Sequence, residues 1–180
     1  MKPIADMTQS ELAAFVQTHL AREGVQVVLS GGAAVSIYSD GEYVSQDIDL
    51  VNIYAASPRA IRSAMQAIGF REEARYFRHP DSPHVVEFPP GPLAIGGHPV
   101  GRVEEMRLAT GRLRIISPTD CVKDRLAAYF HWGDLQSLRQ ALQVARRRTI
   151  SLHEVRDWSR AEGKFHEFEA FAAQLKAETN

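Results

Sequence analysis

A diglycine followed by an alternating acidic strand constrains this chain more than any other feature of its sequence. An apolar run ends at Ser30-Gly31-Gly32, and Asp47-Ile48-Asp49-Leu50 follows further along the chain. In a β-strand, side chains two positions apart point to the same face. We therefore expect Asp47 and Asp49 to project together, with Cα atoms roughly 7 Å apart, while Ile48 and Leu50 point into a core.

The two aspartates predict a cation site, because neighbouring carboxylates repel each other and shift each other's pKa values. A hard divalent cation, Mg²⁺ or Mn²⁺, prefers oxygen ligands of this kind. A third carboxylate, Glu87, interrupts the apolar run over 84–88, which is typical of another strand. If that strand lies beside Asp47 and Asp49, the three carboxylates can hold two ions that clamp a triphosphate and neutralise the leaving pyrophosphate.

The diglycine itself is typical of a phosphate-binding turn. Glycine lets another group approach the backbone closely, so Gly31 and Gly32 are candidates for contact with a nucleotide. Ser30 can add a hydroxyl to the same contact. The N-terminus of the helix expected after the turn favours an anion.

The composition limits the classes of protein that fit. The chain has 180 residues, of which 44% are hydrophobic, and a net charge of −1, so any affinity for phosphate must come from a local patch. A single cysteine, Cys121, excludes an internal disulfide and a cysteine-based zinc site and fits a reducing cytoplasm, where we expect the protein to act. We expect no signal peptide and no membrane span.

The hydrophobic periodicity predicts an α+β fold in which helices flank a small mixed β-sheet. We expect a nucleotide-binding α/β core over 1–116 and a helical region over 117–180 packed on it. Helices are predicted over 8–22, 31–38, 57–67, 119–131, 135–147, 152–162 and 165–177. Strands are predicted over 25–29, 44–54, 75–78, 84–88, 99–108 and 111–116.

The diglycine, the following helix, the Asp-x-Asp strand and the later acidic strand resemble the nucleotidyltransferase fold of the DNA polymerase β superfamily. The stretches 29–50, 85–96 and 117–134 are more narrowly similar to small bacterial abortive-infection nucleotidyltransferases of type IV toxin–antitoxin systems. The resemblance implies transfer of a nucleoside monophosphate from an NTP, with release of pyrophosphate. It also implies that Asp47 and Asp49 bind metal, and that Glu87 binds one metal and can assist deprotonation of the acceptor.

The resemblance also implies a basic residue on the helix that starts after Ser117. Lys123 is our choice for the side chain that meets the triphosphate, acting as a point charge. Asp120 and Asp124 are four residues apart and share a helix face. They are expected to orient the basic residue or to touch the base and ribose, although ordinary surface ion pairs would give the same pattern.

Three functions remain open from the sequence. The leading hypothesis is a metal-dependent nucleotidyltransferase whose acceptor is a hydroxyl of tRNA, another RNA or a protein, with a cognate antitoxin or regulator as partner. The first alternative is a catalytically inactive module that binds nucleotide. The second is a small-molecule nucleotidyltransferase of the aminoglycoside-modifying kind. An acidic cleft beyond the three carboxylates favours a cationic small molecule, whereas a basic groove favours RNA.

Overall fold

The computed structural model describes residues 2–54 and 56–177. Its helices and strands alternate in the N-terminal two thirds, and helices alone form the remainder. The helices are α1 Gln9–Arg22, α2 Gly31–Tyr38, α3 Pro58–Ala67, α4 Pro118–Trp132, α5 Leu135–Arg147, α6 Leu152–Ala161 and α7 Phe165–Ala177. The strands are β1 Val27–Ser30, β2 Asp47–Asn52, β3 Arg71–Glu73, β4 Tyr76–Arg78, β5 Val85–Glu87, β6 Ala94–Ile95, β7 His98–Pro99, β8 Val103–Leu108 and β9 Gly111–Ile116.

The large sheet has the strand order β3-β4-β5-β2-β1-β9-β8. Strands β1 and β9 are parallel, as are β2 and β5, and the remaining pairs are antiparallel. Strands β6 and β7 form a separate small hairpin. The α+β class and the mixed sheet predicted from the sequence are confirmed.

The two faces of the sheet differ because residue type alternates along its central strands. Leu29, Ile48, Leu50 and Val86 are fully buried on one face, on which helix α1 packs against β1 and β9 and also contacts α3. The residues between them, which include both aspartates of β2, lie on the other face. This second face carries the candidate functional site.

The C-terminal helices pack on one another and on α2. Helix α4 contacts α2, α5 and α6, while α7 contacts α5 and α6. The rings of Phe130 and Trp158 stack with their centroids 5.6 Å apart, and Phe171 is fully buried. These residues and the core of the sheet form one hydrophobic cluster. The division of the chain at residue 116 stays a prediction.

Capping residues explain why most helices begin where the sequence predicts. The hydroxyls of Thr8, Ser57, Ser117 and Ser151 each accept a hydrogen bond from a backbone N–H in the first turn. Pro58 and Pro118 occupy the first helical position, where a missing N–H costs nothing.

The strand predictions need correction in the middle of the chain. The strand predicted over 44–54 is limited to Asp47–Asn52, because Ser45 is held in a turn by a hydrogen bond from its hydroxyl to the Asp47 carbonyl. The strand predicted from residue 99 begins at Val103. The pattern also missed β3 and the β6–β7 hairpin, which are only two or three residues long. None of the described helices is long and apolar enough to cross a membrane.

We predict that Tyr38→Phe lowers the free energy of unfolding by about 1–2 kcal/mol. The Tyr38 side chain is 1% exposed, and its hydroxyl donates to the Ile116 carbonyl at 2.8 Å, which ties α2 to the end of β9. Tyr43→Phe is the matched control, because the Tyr43 hydroxyl makes no hydrogen bond within the described ranges, and it should cost under about 0.5 kcal/mol. Equal losses in urea unfolding would contradict this role of Tyr38.

Candidate active site

A row of polar residues crosses four neighbouring strands at the level of Asp49. Ser30 of β1 is the register partner of Asp49, which in turn pairs with Glu87 of β5. Glu87 then pairs with Tyr76 of β4. Register partners share a face of the sheet, so the Ser30, Asp49, Glu87 and Tyr76 side chains lie side by side. Asp47 lies on the same face, two residues before Asp49.

Gly31 is required because the Asp49 carboxylate lies against its backbone. A Cβ atom at Gly31 would lie 2.0 Å from Oδ2 of Asp49, which is too close for two atoms that are not bonded to each other. Gly31 also has a φ of +64°, which favours glycine. At Gly32, an added Cβ would lie 2.9 Å from Oγ of Ser45. The space left by the missing side chains of the diglycine is therefore occupied, at least in part, by Asp49 and Ser45 of the same chain.

Partial burial and the neighbouring carboxylates raise the pKa of Asp49. Burial raises the pKa of Asp49 to about 6, and the charges of Glu87 and Asp47 add to that shift, whereas Arg125 opposes it. Within residues 2–54 and 56–177, neither Asp47 nor Asp49 has a hydrogen bond or an ion pair on its carboxylate.

Helix α4 places an ion pair, Arg125 with Asp124, close enough to Asp49 for both charges to act on its pKa. Nε of Arg125 donates to Oδ2 of Asp124 at 3.0 Å, and both side chains are partly buried. Burial disfavours the Arg125 charge, but Asp124 and Asp49 outweigh it, so the pKa of Arg125 is raised. Asp124 and Ser30 also line one cavity of about 210 Å³ beneath the β6–β7 hairpin. Asp124 thus lies near Ser30 and the carboxylates, and its expected contact with the base or ribose stays a prediction.

Lys123 and Asp120 form a different network on the same helix. The buried Asp120 carboxylate accepts hydrogen bonds from the backbone N–H groups of Gly101 and Arg102 and from the Ser117 hydroxyl. The Lys123 ammonium lies 3.2 Å from Asp120 and 3.6 Å from Glu154. These contacts fix the segment that leads into β8 against α4, and the nucleotide contacts expected of both residues stay a prediction.

Arg75 is a residue of the site that the sequence analysis missed. Its Nε lies 3.4 Å from Oε1 of Glu87, and its guanidinium stacks 4.9 Å from the centre of the Tyr76 ring. The Arg75 side chain is 70% exposed. No motif marks this arginine, because it lies in a turn before a three-residue strand and becomes a neighbour of Glu87 only through the β4–β5 pairing.

The donor chemistry of the site fits a divalent cation. Mg²⁺ is usually bound in proteins by one or two carboxylates together with substrate phosphates. Asp47 and Asp49 supply two carboxylates that nothing else in the described ranges binds, and a cation would relieve the repulsion that raises the pKa of Asp49. Within those ranges, no group of three or more His, Cys, Asp or Glu side chains is arranged to hold a metal ion. Glu87 is ion-paired with Arg75, and its expected role as a metal ligand stays a prediction.

Comparisons with solved structures agree with this architecture. The fold is similar to a nucleotidyltransferase-like protein from Paracoccidioides brasiliensis, with a TM-score of 0.54 and 15% identity over 76% of this chain and 74% of that one. It is also similar to the lincosamide antibiotic adenylyltransferase LnuA in its lincomycin-bound form, with a TM-score of 0.52 and 16% identity over 77% of this chain and 98% of that one.

The chain therefore has the nucleotidyltransferase fold, as the sequence predicts. No protein-family model and no curated protein matches the sequence. At these identities, the likeness concerns the fold, and the chemistry has to be argued from the side chains of the site.

We predict that Gly31→Ala destabilises the protein by about 2 kcal/mol more than Gly24→Ala. Both glycines have positive φ, at +64° and +77°, so both variants carry backbone strain. Of these two glycines, only Gly31 would place its new Cβ against another atom, Oδ2 of Asp49. A Cβ at Gly24 would meet nothing within 4 Å. Equal losses in urea unfolding would show that the Asp49 contact is unimportant.

We predict that Asp49→Asn stabilises the metal-free protein at pH 7 by about 2 kcal/mol. The folded pKa of Asp49, about 6, lies above its ordinary value of 3.8, so the folded state binds the proton more tightly. The unfavourable contribution of Asp49 to the unfolding free energy should therefore shrink as the pH falls from 7 to 4, and the advantage of the variant over the wild type should shrink in parallel.

The control for this pH dependence is Asp81→Asn, since Asp81 is 66% exposed. It should change the unfolding free energy by less than about 0.5 kcal/mol at either pH. A pH-independent effect of Asp49→Asn would contradict the raised pKa.

Proposed function

We propose that this protein is a metal-dependent nucleotidyltransferase that moves a nucleoside monophosphate from an NTP to a hydroxyl acceptor. The observation that carries the proposal is the partly buried Asp49 carboxylate, held against Gly31 with Glu87 beside it in register and the exposed Asp47 two residues away. Two carboxylates without a partner, Asp47 and Asp49, next to a third negative charge reduce stability, and the binding of a cation would explain why they are placed together. Adenylyl transfer by LnuA, which shares the fold, supports this assignment.

The reaction assigns a different task to each carboxylate. Asp47 and Asp49 hold Mg²⁺ or Mn²⁺, and two ions are expected when an NTP is present. When bound, the metal supplies charge neutralisation for the triphosphate and lowers the pKa of the acceptor hydroxyl. Glu87 accepts the hydroxyl proton while the acceptor oxygen bonds to the α-phosphorus. The bond from the α-phosphorus to the bridging oxygen breaks, and pyrophosphate leaves.

The nucleotide is proposed to lie over the turn from β1 to α2. Ser30 offers a hydroxyl, and the backbone N–H groups at Gly31 and Gly32 begin a helix. From α4, Arg125 offers a positive charge and Asp124 an acceptor for a base or ribose hydroxyl. Lys123 and Asp120 contribute to nucleotide binding by holding α4 in place. Lys123 would reach the triphosphate only after leaving the carboxylates of Asp120 and Glu154.

Two classes of acceptor follow from this proposal. The sequence resemblance favours a hydroxyl of tRNA, another RNA or a protein, and with it a toxin controlled by a cognate antitoxin. The charges around the site favour a small molecule. Four acidic side chains, Asp47, Asp49, Glu87 and Asp124, face two arginines that are already ion-paired, and this is not the basic groove that RNA binding needs.

We predict that Asp47→Asn and Asp49→Asn each reduce nucleotidyl transfer by at least about 100-fold. The assay follows label from α-³²P-NTPs into the RNA, protein and small-molecule fractions of a cell extract, with Mg²⁺ or Mn²⁺ present. Asp81→Asn serves as the exposed control and should keep full activity.

Two outcomes would overturn the proposal. If the wild type and Asp49→Asn transfer label equally, the carboxylates are not the catalytic centre. If the wild type binds NTP with metal but transfers no label to any fraction, the inactive nucleotide-binding module is the correct function.

A further inference from the structure

The cavity beneath the β6–β7 hairpin lies on the face of the sheet that carries Asp49. Ser30, the register partner of Asp49, lines this cavity, and so does Val51, which follows Asp49 by two residues on β2. The loop over 89–95 supplies most of the remaining lining, and Asp124 of α4 also contributes. The volume of about 210 Å³ is smaller than the roughly 300–1,000 Å³ of pockets for drug-sized ligands, so the cavity suits a single ring system.

The lining assigns this cavity to the nucleotide side of the site. Ser30 lines the cavity and directly precedes the diglycine turn, over which the phosphates are proposed to lie. Neither Glu87 nor Arg75 lines the cavity, so an acceptor whose hydroxyl meets Glu87 would bind elsewhere. A ring system that is joined through a ribose to phosphates over the turn can therefore enter the cavity.

Two polar groups of the lining have hydrogen-bonding capacity that the protein does not use. Within residues 2–54 and 56–177, the Ser30 hydroxyl makes no hydrogen bond. In the same ranges, Oδ2 of Asp124 accepts from Arg125, whereas Oδ1 accepts from no donor. Because an ionised carboxylate can only accept, Oδ1 favours a ligand group that donates, such as an exocyclic amine.

Hydrogen-bond donors are scarce in the same lining. Three of its residues are prolines and have no backbone N–H, namely Pro89, Pro90 and Pro92. The N–H of Val100 donates to the Leu93 carbonyl, and each nitrogen of the nearby Arg125 already donates to a side chain. The Ser30 hydroxyl can donate, but it is proposed to meet the phosphates. A ring carbonyl placed here would lose its hydrogen bonds to water without replacing them.

We propose that this cavity binds the nucleobase of the NTP and selects adenine. The inference rests on the proposed nucleotidyl transfer. Adenine carries an exocyclic amine, which donates to Oδ1 of Asp124, and it carries no exocyclic carbonyl. Guanine, cytosine and uracil each carry at least one carbonyl, which the prolines of the lining cannot satisfy. ATP is therefore the nucleotide that the site uses, and Asp124 determines the base specificity.

The test compares ATP with inosine triphosphate (ITP), because hypoxanthine has a carbonyl at the position where adenine has its amine. Isothermal titration calorimetry measures both dissociation constants on the full chain with Mg²⁺ and without acceptor. We expect ATP to bind at least about 10-fold more tightly than ITP. Purine riboside triphosphate, which has neither group, should bind more weakly than ATP and more tightly than ITP.

The variant Asp124→Asn tests the residue to which specificity is assigned. An Asn side chain offers an N–H as well as an oxygen, so it can serve a carbonyl as well as an amine. The preference for ATP over ITP should therefore fall below about 3-fold. Asp157→Asn is the matched control and should keep the preference, because Asp157 also accepts from Nε of a neighbouring arginine on a helix but does not line the cavity. Circular dichroism verifies that both variants are folded.

The possible failures of the experiment are distinguishable. Equal affinity of the wild type for ATP and ITP, or for ATP and purine riboside triphosphate, overturns this inference and leaves the transferase in place. An unchanged preference in folded Asp124→Asn, or an equal loss of affinity for both nucleotides, overturns the role of Asp124 in specificity. If no nucleotide binds in the presence of Mg²⁺, the proposed function is wrong, and this inference falls with it.

Discussion

The structure depends on one close contact, between the carboxylate of Asp49 and the backbone of Gly31. No side chain can be accommodated at position 31 while Asp49 keeps its place, so the β1–α2 turn and the β1–β2 register are fixed together. The same register makes Glu87 the neighbour of Asp49 on the next strand. A local steric constraint therefore determines where the three carboxylates lie across the sheet.

The contact has an electrostatic cost that points to function. Partial burial of Asp49, beside Glu87 and Asp47, raises its pKa to about 6, which means that the ionised form destabilises the folded state at neutral pH. Proteins retain such unfavourable groups where they bind or react. In the proposed function, binding of a cation to the aspartates would regain the stability that is lost in the free protein.

Much of the site could be predicted from sequence because its signals are local. Asp47 and Asp49 alternate along one strand, Glu87 interrupts an apolar run, and hydroxyl caps mark the starts of the helices. Arg75, the 210 Å³ cavity and the network around Asp120 could not be predicted, because they arise where segments distant in sequence meet. Strands β3, β6 and β7 were missed because two or three residues carry too little periodicity to be recognised.

The central claim is that Asp47 and Asp49 form a metal site completed by nucleotide. The most direct measurement is a crystal structure with Mn²⁺ and a non-hydrolysable NTP analogue, in which the anomalous scattering of manganese locates the ion. The account predicts an anomalous peak bound by both aspartates, with the phosphates over the Gly31 turn and the Glu87 carboxylate facing them. A nucleotide bound elsewhere, or manganese remote from Asp49, would contradict it.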